Sequence, residues 1–401
     1  MQDKTVYFDN NATTRVAPEV LEAMLPYLKE EYGNPSSMYA LAGRSKAAIT
    51  KAREQVAALL GAQPEEIIFT SCGTESDATA ISSALESRPE KKHFITTRVE
   101  HPAVLAWGQN LEQRGYRVTW LEVNEAGRLN LKDLEAALSE DTALVSIMFA
   151  NNETGNIHPI EKAAEICREK GVLFHTDAVQ AVGKVSIDLA RLPVDYLALS
   201  GHKLHAPKGV GALYMRRGAP IRPYLRGGHQ EGGRRAGTEA VPSVVALGKA
   251  CELAQDFFSE ENVRVKAMRD RLEQRILSEI PLTRVNGDPE FRLPGTTNIS
   301  FKFVEGEAIL LMLNQLGICA SSGSACTSGS LEPSHVLRAL GVPFTYAHGS
   351  VRLSLGRFNS EEEVDYVADN LGAIIKRLRE ISPYRDMSDE QAANEGGSCV
   401  I

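Results

Sequence analysis

The chain has 401 residues, of which 43% are hydrophobic and 24% charged, and its net charge is −8. At about 150 residues per domain, that length suits two or three domains with sizeable cores, and the composition excludes a disordered chain, a coiled coil and a collagen. The acidic balance argues against a sequence-independent nucleic-acid face and against a polybasic membrane anchor. No apolar run reaches the roughly 18 residues of a membrane span. The polar start, Met1 to Thr5, lacks the apolar core of a signal peptide. Cysteines at 72, 167, 251, 319, 326 and 399 form no CxxC pair and no usual zinc spacing. They fit a reduced, cytoplasmic compartment with no metal site.

In chain order, residues 15–60 read mostly as helix, with Pro18 near a start and Gly61 as the stop. Short apolar runs at 67–71, 93–97, 117–123, 143–149, 172–176, 196–200 and 210–215 read as strands. Helical patterns at 103–114, 131–138 and 160–170 lie between several of them. This alternation implies an α/β fold with a mostly parallel sheet covered on both faces. The Gly/Arg-rich stretch 222–238 reads as an exposed loop, and a long helix is expected from 241 to about 280. After Pro281 the pattern changes to strands at 297–303, 317–320 and 350–355, with helices at 307–316 and 361–380. The expected division is a large domain over 15–260, a small α+β domain from 1–14 and 261–385, and a polar tail at 386–401.

Five polar clusters follow candidate strands, and a parallel sheet gathers such ends along one edge, where ligands bind. Ser200-Gly201-His202-Lys203 places a lysine where it can lose its proton and attack a carbonyl, the attachment chemistry of pyridoxal phosphate. Asp177, in His175 to Gln180, needs a cation if buried, and a protonated pyridine nitrogen would serve. Ser71 to Ser76 opens a helix with small residues and hydroxyls suited to a phosphate. In Glu100-His101-Pro102 the imidazole can stack on a ring and move protons. Asn151 to Gly155 carries amides that could orient an oxygen anion. Taken singly, each cluster also has a plain reading as an exposed lysine, a helix cap or a turn.

Two further features lie in the smaller region. The Gly/Ser-rich run 320–330 holds Cys326 with little apolar cover, so it reads as a mobile segment with a nucleophilic thiol or as a linker with an incidental cysteine. Arg352, inside an apolar strand pattern, wants a carboxylate, from a ligand or from a structural salt bridge.

Together these motifs resemble the cysteine desulfurases of the NifS/IscS type. The matching segments are 7–14, 73–76, 100–102, 151–155, 175–180, 200–203, 234–239 and 321–326, in family order across nearly the whole chain. The forms Asn151 to Gly155, Arg235 to Glu239 and Thr327 to His335 look most like the nitrogen-fixation branch. The resemblance implies a fold-type I pyridoxal-phosphate transferase, working as a homodimer. Lys203 would carry the cofactor as a Schiff base, Asp177 would pair with its ring nitrogen, and His101 would stack on the ring. Gln180 and Asn152 would lie near the ring oxygen. Gly73, Thr74, Ser200 and His202 would hold the phosphate, and Thr238 would reach the phosphate of the partner subunit. Arg352, with Asn152, would hold the carboxylate of L-cysteine. Cys326 would take sulfur as a persulfide and yield alanine, with His101 handling a proton, and an iron–sulfur scaffold protein would receive the sulfur. The alternatives are a selenocysteine lyase or aminotransferase of the same fold, a partner-dependent enzyme, or a sulfur-carrying interaction protein without pyridoxal chemistry.

Overall fold

The computed structural model describes residues 5–322 and 333–383. Its larger sheet has seven strands in the spatial order Ile67–Thr70, Gly211–Met215, Tyr196–Ser200, Leu173–Asp177, Thr142–Ser146, His93–Thr97 and Arg117–Leu121. The last five in this order pair in parallel. Gly211–Met215 is antiparallel to both of its neighbours. Two reversals in succession leave Ile67–Thr70 pointing the same way as the parallel set. Six of the seven strands are buried at every position, and only Arg117–Leu121 is partly open. Continuous burial explains their unbroken apolar runs, because both faces of the sheet are covered.

Helix Gly73–Ser87 is buried except at Thr74, Glu86 and Ser87. Its Ala and Ser side chains allow close approach to the sheet. Ser76 Oγ reaches Ala212 O at 3.1 Å. The core on this face joins Ala80, Ile81 and Ala84 to Phe94, Leu144, Tyr196 and Leu213.

The smaller sheet is antiparallel, in the order Ser350–Ser354, Thr296–Phe301, Thr283–Val285. Val6–Tyr7 pairs in parallel with Ile318–Cys319. Val6 and Phe8 share a second core with helices Phe258–Glu279 and Glu361–Ile381.

Several expected elements change. The helical reading of 15–60 divides into Pro18–Lys29 and Ala40–Leu60. Pro35 lies in the gap, and Gly33 packs so tightly there that a Cβ would meet Leu41 C at 2.7 Å. Gly61 ends the second helix at φ +64°, a conformation glycine adopts without a Cβ penalty. The long helix after 241 breaks at Phe257 into Val241–Asp256 and Phe258–Glu279. No glycine or proline marks that break, so the sequence carries no signal for it. The regular strand within the run 143–149 ends at Ser146, yet Ile147 N and Phe149 N still donate to His175 O and Asp177 O, and Ile147, Met148, Phe149 and Ala150 stay buried.

Phe301 is fully buried in the second core. Phe301→Ala is expected to lower unfolding stability by about 3–5 kcal/mol, read as a lower urea midpoint.

Candidate active site

The carboxyl ends of the strands open onto a cavity of about 370 Å³. Gly73, Thr74, His101, Asn152, Asp177, Gln180, Ser200, His202, Lys203 and Arg352 all line it. Thr238 is exposed and lies outside this lining. Cys326 falls outside the described residues.

The strand Ile67–Thr70 leads through Ser71 and Cys72 into helix Gly73–Ser87. No side chain caps this helix, so its first-turn amides keep their hydrogen-bonding capacity. A Cβ at Gly73 would meet Val179 Cγ2 at 2.6 Å. Glu75 accepts from Ser71 N at 2.8 Å and from Arg235 Nε at 2.8 Å. Burial works against the Glu75 charge, but the bonds from Arg235 and Ser71 outweigh it and hold the carboxyl below its ordinary range. The Gly/Arg-rich loop is thus tied to this turn. It is tied again where Arg53 forks onto the buried Glu231 at 2.6 and 2.7 Å.

His101 stands before helix Pro102–Gln113, and its Nδ1 accepts from Ala103 N at 3.2 Å. The neutral ring therefore carries its proton on Nε2. Burial holds the imidazole below its usual pKa, with Asp177 opposing and Lys203 assisting. Asp177 ends strand Leu173–Asp177, and its Oδ1 accepts from Val179 N at 2.9 Å. Burial raises its carboxyl, while the charges of His101 and Lys203 and the Val179 bond resist the rise. Asp177 is 5% exposed, so a further cation beside it would be strongly favoured.

Strand Tyr196–Ser200 turns through Gly201–Lys203. Lys203 Nζ donates to Asn11 O at 2.5 Å and Ala12 O at 2.7 Å. Among the described residues, Ser200 Oγ is buried without a hydrogen-bond partner. His202 Nδ1 lies 3.1 Å from Thr13 Oγ1, and burial pushes its ring down to about 4. Arg352 finds a carboxylate within the chain, Asp9, at 2.8 Å, and donates to Asn152 O at 3.0 Å. Among the described residues, its Nε is buried without a partner.

Asn151 builds its turn instead of facing the cavity: its Oδ1 accepts from Glu153 N and Thr154 N, each at 2.9 Å. Residues the sequence reading did not single out for the site also line it, among them Asn11, Ala12, Cys72, Asp77 and Glu153. Asn11 and Ala12 act through backbone carbonyls, which side-chain chemistry does not reveal. The polar run Asp9-Asn10-Asn11 beside apolar Phe8 was the available signal.

Residues 6–367 match the family model for aminotransferase class-V. The chain is 60% identical over 387 residues to cysteine desulfurase 2 of Trichormus variabilis (strain ATCC 29413 / PCC 7937), covering 96% of each chain. It is 57% identical over 380 residues to the cysteine desulfurase NifS of Azotobacter vinelandii, covering 94% of each. A solved structure of a NifS-like protein superposes with a TM-score of 0.88 at 40% identity, covering 94% of this chain and all of that one.

Glu100, behind His101, is fully buried. Its Oε1 accepts from Thr97 Oγ1 at 2.7 Å and Met148 N at 2.9 Å, and its Oε2 has no partner among the described residues. Burial pushes the carboxyl up to about 8. The folded state therefore holds a proton that the unfolded state releases, so this group's contribution to stability falls as pH rises from the ordinary carboxylate range to about 8. Glu100→Gln is expected to flatten that decline in urea titrations between those limits. An unchanged pH slope would contradict the assignment.

Proposed function

We infer the chemistry of this cavity from one premise: the chain belongs to the aminotransferase class-V family and is a cysteine desulfurase, an enzyme that converts L-cysteine to L-alanine. The family's enzymes use pyridoxal phosphate, which supplies an electron sink for charge developing at the α-carbon of a bound amino acid.

The residues present fit that cofactor. The uncapped turn at Gly73 and Thr74 offers amides to a phosphate. The partnerless Ser200 Oγ adds a hydroxyl, and His202 stands beside it in the lining. Asp177 would hold a protonated ring nitrogen, and His101 would cover the ring face. Gln180 and Asn152 would serve the ring oxygen. Lys203 supplies the amine for a Schiff base. Thr238, exposed here, would reach the phosphate of a second copy in a homodimer. The observation that carries the reading is the convergence of Lys203, Asp177 and His101 on one cavity beside that uncapped turn.

Each side chain then has a task. Arg352, oriented by Asp9, would bind the substrate carboxylate together with Asn152. Lys203 Nζ, once released, would take the α-proton and return it. The Cys326 thiolate would attack the substrate sulfur. A sulfur–sulfur bond forms, the carbon–sulfur bond breaks, and its electron pair stays with the carbon fragment that becomes alanine. His101 Nε2 would manage the proton at the sulfur. We assign the sulfur to an iron–sulfur scaffold protein in the cytoplasm, for nitrogenase assembly. The identity with the Azotobacter NifS supports that placement.

The protein incubated with pyridoxal phosphate, L-cysteine and a thiol reductant is expected to release alanine and sulfide in equal amounts. Cys326→Ala is expected to lose both products while still taking up pyridoxal phosphate. A loaded wild type that makes no alanine from cysteine would overturn the reading and point to selenocysteine or a required partner.

A further inference from the structure

Lys184 is a cation to which the chemistry above gives no task. It follows the strand Leu173–Asp177 by seven residues and is half-buried. Its Nζ donates to Gln180 Oε1 at 3.2 Å. Gln180 is 4% exposed, and its Nε2 donates to Asn11 O at 2.9 Å. The same carbonyl accepts from Lys203 Nζ at 2.5 Å. Polar contacts thus run from Lys184 through Gln180 and Asn11 to Lys203. Lys184 and Lys203 also line one small cavity of about 40 Å³, with Glu261 and Asn262.

A primary amide has an accepting end and a donating end, and an ammonium can only donate. Lys184 therefore obliges Gln180 to turn Oε1 toward it. Nε2 is left facing Asn11 O, which occupies one of its two hydrogens. The second is available to a ligand in the main cavity, which Gln180 also lines. The Asn11 carbonyl, which can only accept, asks for the same orientation, so carbonyl and ammonium hold the amide from its two ends.

We propose that Lys184 is a positioning residue that fixes the Gln180 amide with its N–H end toward the cofactor's ring oxygen. This rests on the reading that pyridoxal phosphate binds at Lys203 with Gln180 beside that oxygen. The charged groups facing Lys184 are Lys203 and Arg352, which oppose its charge, and Glu261, which supports it, and the titratable rings of His202 and His205 lie within its field. Burial is the larger influence and pushes the ammonium down to about 7. The latch therefore weakens as pH rises through neutrality.

The test uses the full chain as wild type, Lys184→Met, Lys184→Arg, Gln180→Leu and the Lys184→Met/Gln180→Leu double variant. Two readouts need no turnover: the dissociation constant of pyridoxal phosphate from the apoprotein, and the pH midpoint of the bound cofactor's visible absorption. Lys184→Met is expected to weaken binding about five- to tenfold, the scale of one ordinary hydrogen bond. Its pH midpoint is expected to move upward, because a donor to the ring oxygen and a nearby cation are both lost. Lys184→Arg should restore both values. The double variant should bind no worse than Gln180→Leu, because the lysine acts through the amide. If the methionine variant does not fold, Lys184→Gln carries the same expectation. Unchanged affinity and midpoint in the removal variant would overturn the proposal, as would additive losses in the double variant or no rescue by arginine. A wild type that takes up no pyridoxal phosphate would instead overturn the cofactor reading, and this inference with it.

Discussion

A carboxylate buried at the end of a β-strand must be given a cation, and the cavity is arranged around that need. Asp177 is almost wholly enclosed, and burial pushes its carboxyl toward the protonated form. Lys203 and His101 supply positive potential from two other strand ends. The fold makes this possible because its strands share a direction. Five of the six like-directed strands contribute one polar turn each to the same edge, whereas Arg117–Leu121 at the margin and the reversed strand Gly211–Met215 contribute none of the five clusters.

The supporting shell is built from backbone as much as from side chains. Asn11 and Ala12 carbonyls hold Lys203. Arg352 is aimed by Asp9 and by the Asn152 carbonyl. These contacts bring the N-terminal segment, the larger sheet and the smaller sheet to one site. Asn10 and Asn11 add a seam there: Asn11 N donates to Ser354 Oγ at 2.9 Å, and Asn11 Nδ2 to Thr296 Oγ1 at 2.9 Å. The proposed substrate and cofactor contacts therefore draw on elements far apart in the chain.

Much of this was legible in the sequence because strand ends carry their chemistry in short, contiguous words. Lys203, Asp177 and His101 each sit beside an apolar run of recognisable length, and the run fixes the edge on which they emerge. Elements set by tertiary contact were less legible. The break at Phe257 has no local breaker. The run 147–150 stays apolar and buried past the end of the regular strand. The Gly/Arg-rich loop looked free, yet Glu231 and Arg235 anchor it to elements more than a hundred residues away. Arg352 announced its need for a carboxylate, but no local pattern could say that Asp9 would meet it.

The claim on which the rest depends is that Lys203 is the amine that carries pyridoxal phosphate. The direct measurement is borohydride reduction of the loaded protein, followed by peptide mass spectrometry. The account predicts a pyridoxyl group on the peptide containing Lys203, and on Lys203 itself when that peptide is fragmented. A label on Lys184, the lysine that contacts Gln180, or no label on a protein that has taken up the cofactor, would contradict it.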